Sequence, residues 1–316
     1  MTSSKLCQRS DLEHPVQSLW ETRHHLSIHA ISKPLDVSIN QGRLRLRAVI
    51  AKGGSSVLFK GHDVNDGRDY AVKCMPRGAK SSDTYARHAR ERTLQQRVDD
   101  HPNIVTLHRA FAQGEHAFFV YDLYTGGDLY SAIERRLFVG RDNLVRNIFL
   151  QLCDAVAHCH TRGVYHLDIK PENILCDKRA SRVALSDFGL ATTDRDCRSR
   201  PPGSKAYSPP ECFRHDREGE PTIPTAVSDV WALGVILVNL ITTVNPWHAA
   251  SIQDPKFASY AHDPQSYFAP LRLPVNVEAL ILRALAIDPY ERISTAEIRD
   301  TARNIRVFFP VKGYGE

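Results

Sequence analysis

The sequence lacks a long apolar run and an apolar segment at its N-terminus. The longest apolar stretch, residues 230–241, is interrupted by Gly234 and Asn239. It is too short to span a bilayer, so it predicts a buried helix and no membrane insertion. Residues 1–6 carry no apolar core, and we therefore expect no secretory route.

A strong excess of one charge is also missing. Lysine and arginine number 41 and aspartate and glutamate 36, which leaves a net charge of +5. Because this excess is small and scattered, nucleic acid is not an expected partner, since that function needs a concentrated basic face. The seven cysteines are an odd number at irregular spacing. Such a pattern indicates free thiols and a cytoplasmic or nuclear location.

Apolar periodicity divides the 316 residues into a strand-rich part and a mainly helical part. Strands are predicted over residues 44–50, 57–59, 69–74, 104–108 and 117–121. A helix is predicted over 81–98, and further helices follow Gly126 and Gly127. The expected fold class is α+β, with a small antiparallel sheet of five strands and one helix before a larger helical part. Residues 1–43 are polar and weakly patterned, and we expect a docking arm or a partly disordered one.

Two motifs in the helical part carry candidate chemistry. Residues 166–173 read His-Leu-Asp-Ile-Lys-Pro-Glu-Asn, and Asp-Phe-Gly begins at Asp187, fourteen positions after Asn173. They place Asp168 and Lys170 on one loop and a second aspartate on the next hairpin. Phosphoryl transfer from ATP needs these groups, namely an acceptor for a hydroxyl proton, a cation beside the phosphates and oxygen ligands for Mg²⁺.

The order of these and further motifs resembles the eukaryotic protein kinase domain of the Ser/Thr type, over residues 44–310. The resemblance implies a bilobal fold with an N-lobe over 44–121, a hinge over 122–125, a C-lobe over 126–310 and a tail over 311–316. It implies ATP and Mg²⁺ as cofactors, proteins with Ser or Thr hydroxyls as substrates, and regulatory protein partners. A finer likeness is to a fungal branch that includes meiosis-inhibiting and nutrient-response kinases.

The resemblance assigns roles to the strand-rich part. Lys73, which follows Ala71 by two positions, matches the lysine that contacts the ATP phosphates, and Glu91 matches the helix glutamate that pairs with it. A half-buried lysine needs such a counter-charge. Taken alone, Lys73 would be interpreted as an edge-strand lysine and Glu91 as a solvated helix residue. Tyr121 falls at the gatekeeper position, where a large side chain is expected to close the pocket behind adenine.

Further roles follow along the chain. The backbone near Asp122 and Tyr124 matches the hinge segment that contacts the adenine edge. Asp128 matches the carboxylate that contacts the ribose, although a helix cap is an alternative role for it.

In the catalytic loop, Asp168 matches the carboxylate that accepts or orients the substrate hydroxyl, and Lys170 matches the lysine that offsets charge on the transferred group. Asn173 and Asp187 match the Mg²⁺ ligands. Each of them alone could be an ordinary turn or surface residue, but the four occur together at the family's spacing.

Five other residues match further positions of the family, and four of them belong to its scaffold. Ser204 stands where a hydroxyl contacts the catalytic aspartate and lysine. The resemblance also implies a buried pair of Glu211 with Arg292, and a helix bearing Asp229 and Trp231 that anchors the catalytic loop. Loss of these last four residues would destabilise the fold rather than remove a reacting group.

The glycine-rich loop departs from the family pattern. If Leu58 is aligned with the usual valine, then Ala51, Gly53 and Ser56 occupy the three glycine positions. Only the middle glycine is kept, and side chains at the other two positions limit how closely the backbone approaches a phosphate. We expect weaker nucleotide binding or slower turnover.

Leu167 is a second departure, because it replaces the arginine that normally contacts a phosphate on the activation segment. An apolar side chain cannot pair with a phosphate. The sequence therefore predicts a kinase that does not depend on such a phosphate through this residue. Two alternatives stay open: a pseudokinase that acts as a nucleotide-binding or scaffolding module, and a small-molecule kinase, which the intact segment 203–211 disfavours.

Overall fold

The computed structural model describes residues 37–54, 56–197, 203–213 and 223–310. They form two compact units. Unit 1 comprises the described residues up to Arg92 together with Thr106–Leu123, and unit 2 comprises Thr93–Val105 and the described residues from Tyr124 onward. The first 36 residues of the predicted arm and the predicted tail over 311–316 lie outside the described residues.

The sheet of unit 1 has six strands, so the prediction of five was wrong. All neighbours are antiparallel, in the order β1-β2-β3-β4-β6-β5. The strands are β1 (Val37–Ile39), β2 (Leu44–Lys52), β3 (Val57–Asp63), β4 (Asp69–Pro76), β5 (Leu107–Gln113) and β6 (His116–Asp122). The additional strand is β1, where Val37 and Ile39 are buried on either side of a half-buried serine. Three residues are too few for such alternation to stand out from a polar arm.

One face of this sheet holds a small apolar core that includes Leu44, Phe59, Val72 and Val120. Gly61 in β3 permits the close packing, since a Cβ atom there would lie 2.7 Å from Cγ2 of Val72. Successive side chains of a strand point to opposite faces. The core residue Val72 therefore places its neighbour, Lys73, on the other face of β4.

A buried carboxylate at the end of β3 connects this strand to β5 and to the turn before β2. Asp63 is fully buried, with its Oδ2 atom 2.9 Å from Nε of Arg43 and 2.6 Å from Nη1 of Arg109. The backbone N–H of Asn65 donates to Oδ1 at 2.9 Å. Burial alone would raise the pKa of Asp63, but the hydrogen bonds from Asn65, Arg109 and Arg43 outweigh it and lower the pKa to about 2.

The stability of unit 1 is expected to fall in acid because of Asp63. A carboxyl whose pKa is depressed by folding contributes stability above its unfolded pKa, near 3.9, which is lost as the pH falls through the folded value. For a folded pKa of about 2, the contribution is about 2 kcal/mol. Urea unfolding at pH 5 and pH 2 should show a drop about 2 kcal/mol larger in the wild type than in Asp63→Asn. Equal drops would contradict this role.

Unit 2 is built mainly of helices. With α1 (Asp83–Val98) shared between the units, they are α2 (Leu129–Glu134), α3 (Asp142–Thr161), α4 (Ala226–Thr242), α5 (Pro255–His262), α6 (Pro264–Phe268), α7 (Val275–Ala284) and α8 (Thr295–Asn304). Every residue of α4 from Ser228 to Ile241 is buried, which confirms the buried helix predicted there. Within the described ranges, no helix is long and apolar enough to cross a bilayer.

A short hairpin in unit 2 positions the candidate site. Strands β7 (Ile174–Cys176) and β8 (Val183–Leu185) pair in antiparallel register, with Ile174 opposite Leu185. Asn173 directly precedes β7, and Ser186 directly follows β8. The open end of the hairpin therefore brings the end of the 166–173 motif beside the start of the Asp-Phe-Gly motif. Two further short strands, β9 (Asp196–Cys197) and β10 (Ile223–Pro224), pair with each other.

Candidate active site

Lys73 and Glu91 form an ion pair in unit 1. Lys73 Nζ lies 2.7 Å from Oε1 of Glu91, and the two side chains are 19% and 7% exposed. The lysine points from β4 towards α1, where the glutamate occupies a buried position in an otherwise polar helix. The sheet and the helix thus bring together two of the residues predicted from the motifs, 18 positions apart.

The loop between β2 and β3 makes a tight turn at the degenerate glycine positions. The N–H of Gly53 donates to the carbonyl of Ser56 at 2.8 Å, and Ala51 pairs with Leu58 across the hairpin. The side chain of Ala51 is exposed and that of Ser56 is half-buried. A Cβ atom on Gly53 would lie 3.2 Å from Oγ of Ser56, which is tight but not prohibitive.

The residues predicted to contact adenine lie at the end of β6 and just after it. Tyr121 is buried and pairs with Ala71 of β4. The Asp122 side chain contacts His108, with 2.7 Å between Oδ1 and Nε2. The backbone N–H of Asp122 donates to the carbonyl of Thr106. The carboxylate of Asp122 is thus engaged within the sheet, which leaves the predicted hinge contact to the backbone of this region.

Asp128 caps a helix in unit 2. It is the N-cap of α2, and its Oδ1 accepts a hydrogen bond from the N–H of Ser131 at 2.7 Å. This geometry is the alternative role considered for the residue, and such a cap stabilises a helix by about 1 kcal/mol. The half-buried carboxylate remains a candidate for the ribose contact as well.

The catalytic-loop residues form a closed hydrogen-bond network in unit 2. Lys170 Nζ lies 2.8 Å from Asp168 Oδ2 and donates to Oγ of Ser204 at 2.8 Å. The Ser204 hydroxyl in turn donates to Asp168 Oδ1 at 2.9 Å. Asn173 Nδ2 donates to the Asp168 carbonyl at 2.8 Å and to Oδ2 at 3.0 Å. Two predicted site residues, Lys170 and Asn173, and the hydroxyl of Ser204 therefore meet around the carboxylate of a third predicted site residue, Asp168.

Gly203 allows the activation segment to approach this network. A Cβ atom there would lie 3.1 Å from Oδ1 of Asp168 and 3.2 Å from the carbonyl oxygen of Leu167. A side chain at this position would therefore press on the carboxylate or separate the segment from the loop. The close approach lets Ser204 reach Asp168 with its N–H, at 3.3 Å, as well as with its hydroxyl.

A buried aspartate on α4, Asp229, holds the backbone of the catalytic loop. Asp229 accepts hydrogen bonds from the N–H groups of His166 and Leu167, at 2.9 and 2.8 Å. Leu167 needs this support because its φ of 66° is unfavourable for a side chain of its size. Burial alone would raise the pKa of Asp229, but the hydrogen bonds from the His160 ring and from the N–H of Leu167 hold that pKa below its ordinary value.

His160 belongs to this support, and the sequence analysis missed it. Its Nε2 lies 2.8 Å from Oδ2 of Asp229, and its Nδ1 lies 2.8 Å from Oγ1 of Thr295. Because a carboxylate only accepts, Nε2 donates, and in the neutral ring Nδ1 then accepts from the threonine. Asp229 and Thr295 follow His160 by 69 and 135 positions, so no local sequence pattern could connect the three residues.

His166 connects the two motifs directly. Its Nε2 lies 3.0 Å from the carbonyl of Ser186, while Asp168 N–H donates to Nδ1 at 3.3 Å. A carbonyl only accepts, so both contacts require a neutral ring with its proton on Nε2. Phe188 packs edge-on against the ring, with centroids 4.7 Å apart. The histidine thus orients the Asp168 backbone against the Asp-Phe-Gly motif.

Asn173 and Asp187 flank the open end of the β7–β8 hairpin. Both the N–H and the hydroxyl of Ser186 donate to the Asn173 carbonyl at 2.9 Å, which fixes the residue before Asp187. Asp187 itself has a positive φ of 62°. Asn173 directs its Nδ2 to Asp168, so its candidate metal-ligating atom is the other atom of the amide, Oδ1. In the part of the chain that the structure describes, no cluster of three His, Cys, Asp or Glu residues could hold a metal by itself.

Residues 44–302 match the family model described as protein kinase domain. A relative from Schizosaccharomyces pombe, "Negative regulator of sexual conjugation and meiosis", is 36% identical over 282 residues, which are 83% of this chain and 60% of the relative. "Serine/threonine-protein kinase VHS1" from Saccharomyces cerevisiae is 35% identical over 233 residues, which are 70% of this chain and 50% of that protein.

"Serine/threonine-protein kinase SKS1", also from Saccharomyces cerevisiae, is 34% identical over 233 residues, 70% of this chain and 46% of the relative. These relatives confirm the resemblance to a fungal branch of Ser/Thr kinases. The chain spans about half the length of the curated relatives it matches.

Proposed function

Because this chain belongs to the protein kinase domain family, we propose that it is a Ser/Thr protein kinase, which transfers the γ-phosphate of ATP to Ser or Thr hydroxyls of proteins. The observation that supports this proposal best is the network around Asp168. A carboxylate, a lysine and an asparagine meet there within hydrogen-bond distance, as phosphoryl transfer requires. The names of the matched Ser/Thr kinases support the same reaction class.

Each site residue has a defined role in this proposal. Asp168 accepts or orients the proton of the substrate hydroxyl, and Lys170 offsets the charge of the transferred group. Lys73, held by Glu91, contacts the ATP phosphates. Catalysis then depends on positioning and electrostatics, since the protein forms no covalent bond in such a reaction.

The nucleotide would be held by residues that the resemblance assigns, namely Ala51, Gly53, Ser56, Leu58, Ala71, Tyr121, Asp122, Tyr124 and Asp128.

A protein kinase domain implies ATP and a divalent metal ion in general, and the finer proposal here is Mg²⁺. Asn173 and Asp187 would hold the ion through hard oxygen atoms. Two protein ligands suit Mg²⁺, which keeps several waters and binds substrate phosphates rather than needing an all-protein cage. When bound, the ion would neutralise charge on the phosphates.

The test is a phosphate-transfer assay on the purified chain. The chain is incubated with labelled Mg-ATP and a mixture of basic and acidic protein substrates, beside an Asp168→Asn control. We expect label on Ser and Thr residues that disappears in the control. Label that persists at the same rate in the control would come from a contaminant and would contradict the proposal.

The second candidate is a pseudokinase, a nucleotide-binding or scaffolding module. The observation that favours it is the degenerate loop, where Ala51 and Ser56 replace two glycines. A thermal shift on adding Mg-ATP, without any phosphate transfer, would support nucleotide binding alone. The absence of both a thermal shift and phosphate transfer would support a scaffolding role. We further propose that Tyr121 closes the pocket behind adenine, that the protein is cytoplasmic or nuclear, and that regulatory protein partners bind it.

Leu167 leads to a prediction about regulation. Because it cannot pair with a phosphate, activity should not require phosphorylation of the activation segment through this residue. Treatment of the purified chain with a phosphatase, followed by mass spectrometry to verify phosphate removal, should change the transfer rate by less than about twofold. Complete loss of activity, with recovery on restoring one segment phosphate, would show that another residue performs this function.

A further inference from the structure

The face of the unit 1 sheet opposite its apolar core carries a second contact to Glu91. Strands β4 and β6 pair in a register that sets Ala71 opposite Tyr121 and Lys73 opposite Phe119. Residues two apart on a strand, and residues opposite each other on paired strands, share one face. Tyr121 and Lys73 are therefore on the same side of the sheet.

Both side chains donate to the same oxygen atom. Lys73 Nζ donates to Glu91 Oε1 at 2.7 Å, and the Tyr121 hydroxyl donates to that oxygen with 3.4 Å between the two atoms. Tyr121 is only 8% exposed. Its ring packs at 74° against that of Phe119, with centroids 6.3 Å apart, which restricts where the hydroxyl can point. The O···O distance is longer than that of a strong hydrogen bond, so the tyrosine contributes less than the lysine.

We infer that the hydroxyl of Tyr121 is a positioning group that orients Glu91 towards Lys73. The inference rests on the proposed function, in which Lys73 contacts the ATP phosphates. It adds to the gatekeeper role, because closing a pocket needs only the ring and not the hydroxyl. Held at Oε1 by donors from two neighbouring strands, the glutamate keeps the part of α1 that belongs to unit 1 against the sheet.

A purely space-filling tyrosine is the competing explanation, and Tyr121→Phe separates the two. The substitution keeps the ring and its packing against Phe119 but removes the single oxygen. Tyr70→Phe is a matched control in the same unit, since the Tyr70 hydroxyl donates to a different carboxylate, Asp66 Oδ2, at 2.7 Å. Each variant loses one tyrosine-to-carboxylate hydrogen bond, but only one of them affects Glu91.

The first readout is amide hydrogen exchange over residues 88–92 of α1, measured on the full chain without nucleotide. Tyr121→Phe should accelerate exchange there by about three- to tenfold, as expected for the loss of one long, weak hydrogen bond. Tyr70→Phe should leave it unchanged. Unchanged exchange in Tyr121→Phe, or equal acceleration in both variants, would overturn the inference.

The second readout is a double-mutant cycle on phosphate transfer. Tyr121→Phe should lower kcat by about three- to tenfold in the wild-type background and have no further effect in Glu91→Ala, where no side-chain oxygen remains for the hydroxyl to contact. The same loss in both backgrounds would overturn the inference. If the wild type transfers no phosphate at all, the proposed kinase function fails, while hydrogen exchange still decides the role of Tyr121.

Discussion

Asp168→Asn is expected to lower kcat for phosphate transfer by about 10²–10⁴-fold, the contribution typical of a positioned general base. Asparagine matches the shape of the residue, but its amide cannot accept a proton from the substrate hydroxyl at neutral pH. Lys170 and Ser204 also lose the negative charge that both contact at 2.8–2.9 Å. Initial rates with saturating Mg-ATP measure the effect. The KM for ATP should change little, because the nucleotide-binding residues are intact.

Ser204→Ala is the matched control for this prediction. It removes one hydrogen bond to Asp168 while it keeps the carboxylate and Lys170, so the rate should fall by roughly tenfold at most. Both variants should unfold near the wild-type temperature, which would show that a lost rate is not a lost fold. A decrease of kcat smaller than tenfold in Asp168→Asn would exclude the carboxylate as the acceptor of the hydroxyl proton.

The order of the motifs along the chain predicted most of the site, because each motif lies on one loop, strand or helix. Asp168, Lys170 and Asn173 share one loop, and hydrogen bonds inside a loop follow from short spacing. Lys73 and Glu91 are 18 positions apart on a strand and the next helix. Here the family resemblance supplied the pairing, since local periodicity alone does not connect the two elements.

Other features depend on contacts that no local pattern reveals. The strand predicted over residues 104–108 instead begins at Leu107. Ile104 makes only an isolated bridge with Leu185 and is buried in the core of unit 2, and the N–H of Val105 donates to the Leu185 carbonyl. A short apolar run looks the same whether it forms a strand or packs against a hairpin. His160 could not be predicted either, because its partner Asp229 lies on a different helix, 69 positions away.

Arg292→Met is expected to lower the free energy of unfolding by about 3–5 kcal/mol, the usual effect of removing one partner of a buried ion pair. Nη1 and Nη2 of Arg292 contact Oε1 and Oε2 of Glu211 at 2.8 and 3.1 Å, and the side chains are 0% and 6% exposed. The guanidinium also donates to two carbonyls and lies 5.0 Å from the ring of Trp231. Methionine fills the space but leaves a buried carboxylate without a counter-charge. Urea unfolding followed by tryptophan fluorescence measures the loss.

Two further variants test whether charge pairing causes this loss. In Arg292→Met/Glu211→Gln the unpaired charge is gone, so the double variant should be more stable than Arg292→Met alone, although the methionine still lacks the two carbonyl contacts of the arginine. Arg292→Lys keeps a positive charge but cannot contact both carboxylate oxygens as a planar fork, and it should fall between the wild type and Arg292→Met. If the double variant were as unstable as the sum of Arg292→Met and Glu211→Gln measured singly, packing against Trp231 rather than the ion pair would hold the end of the activation segment in place.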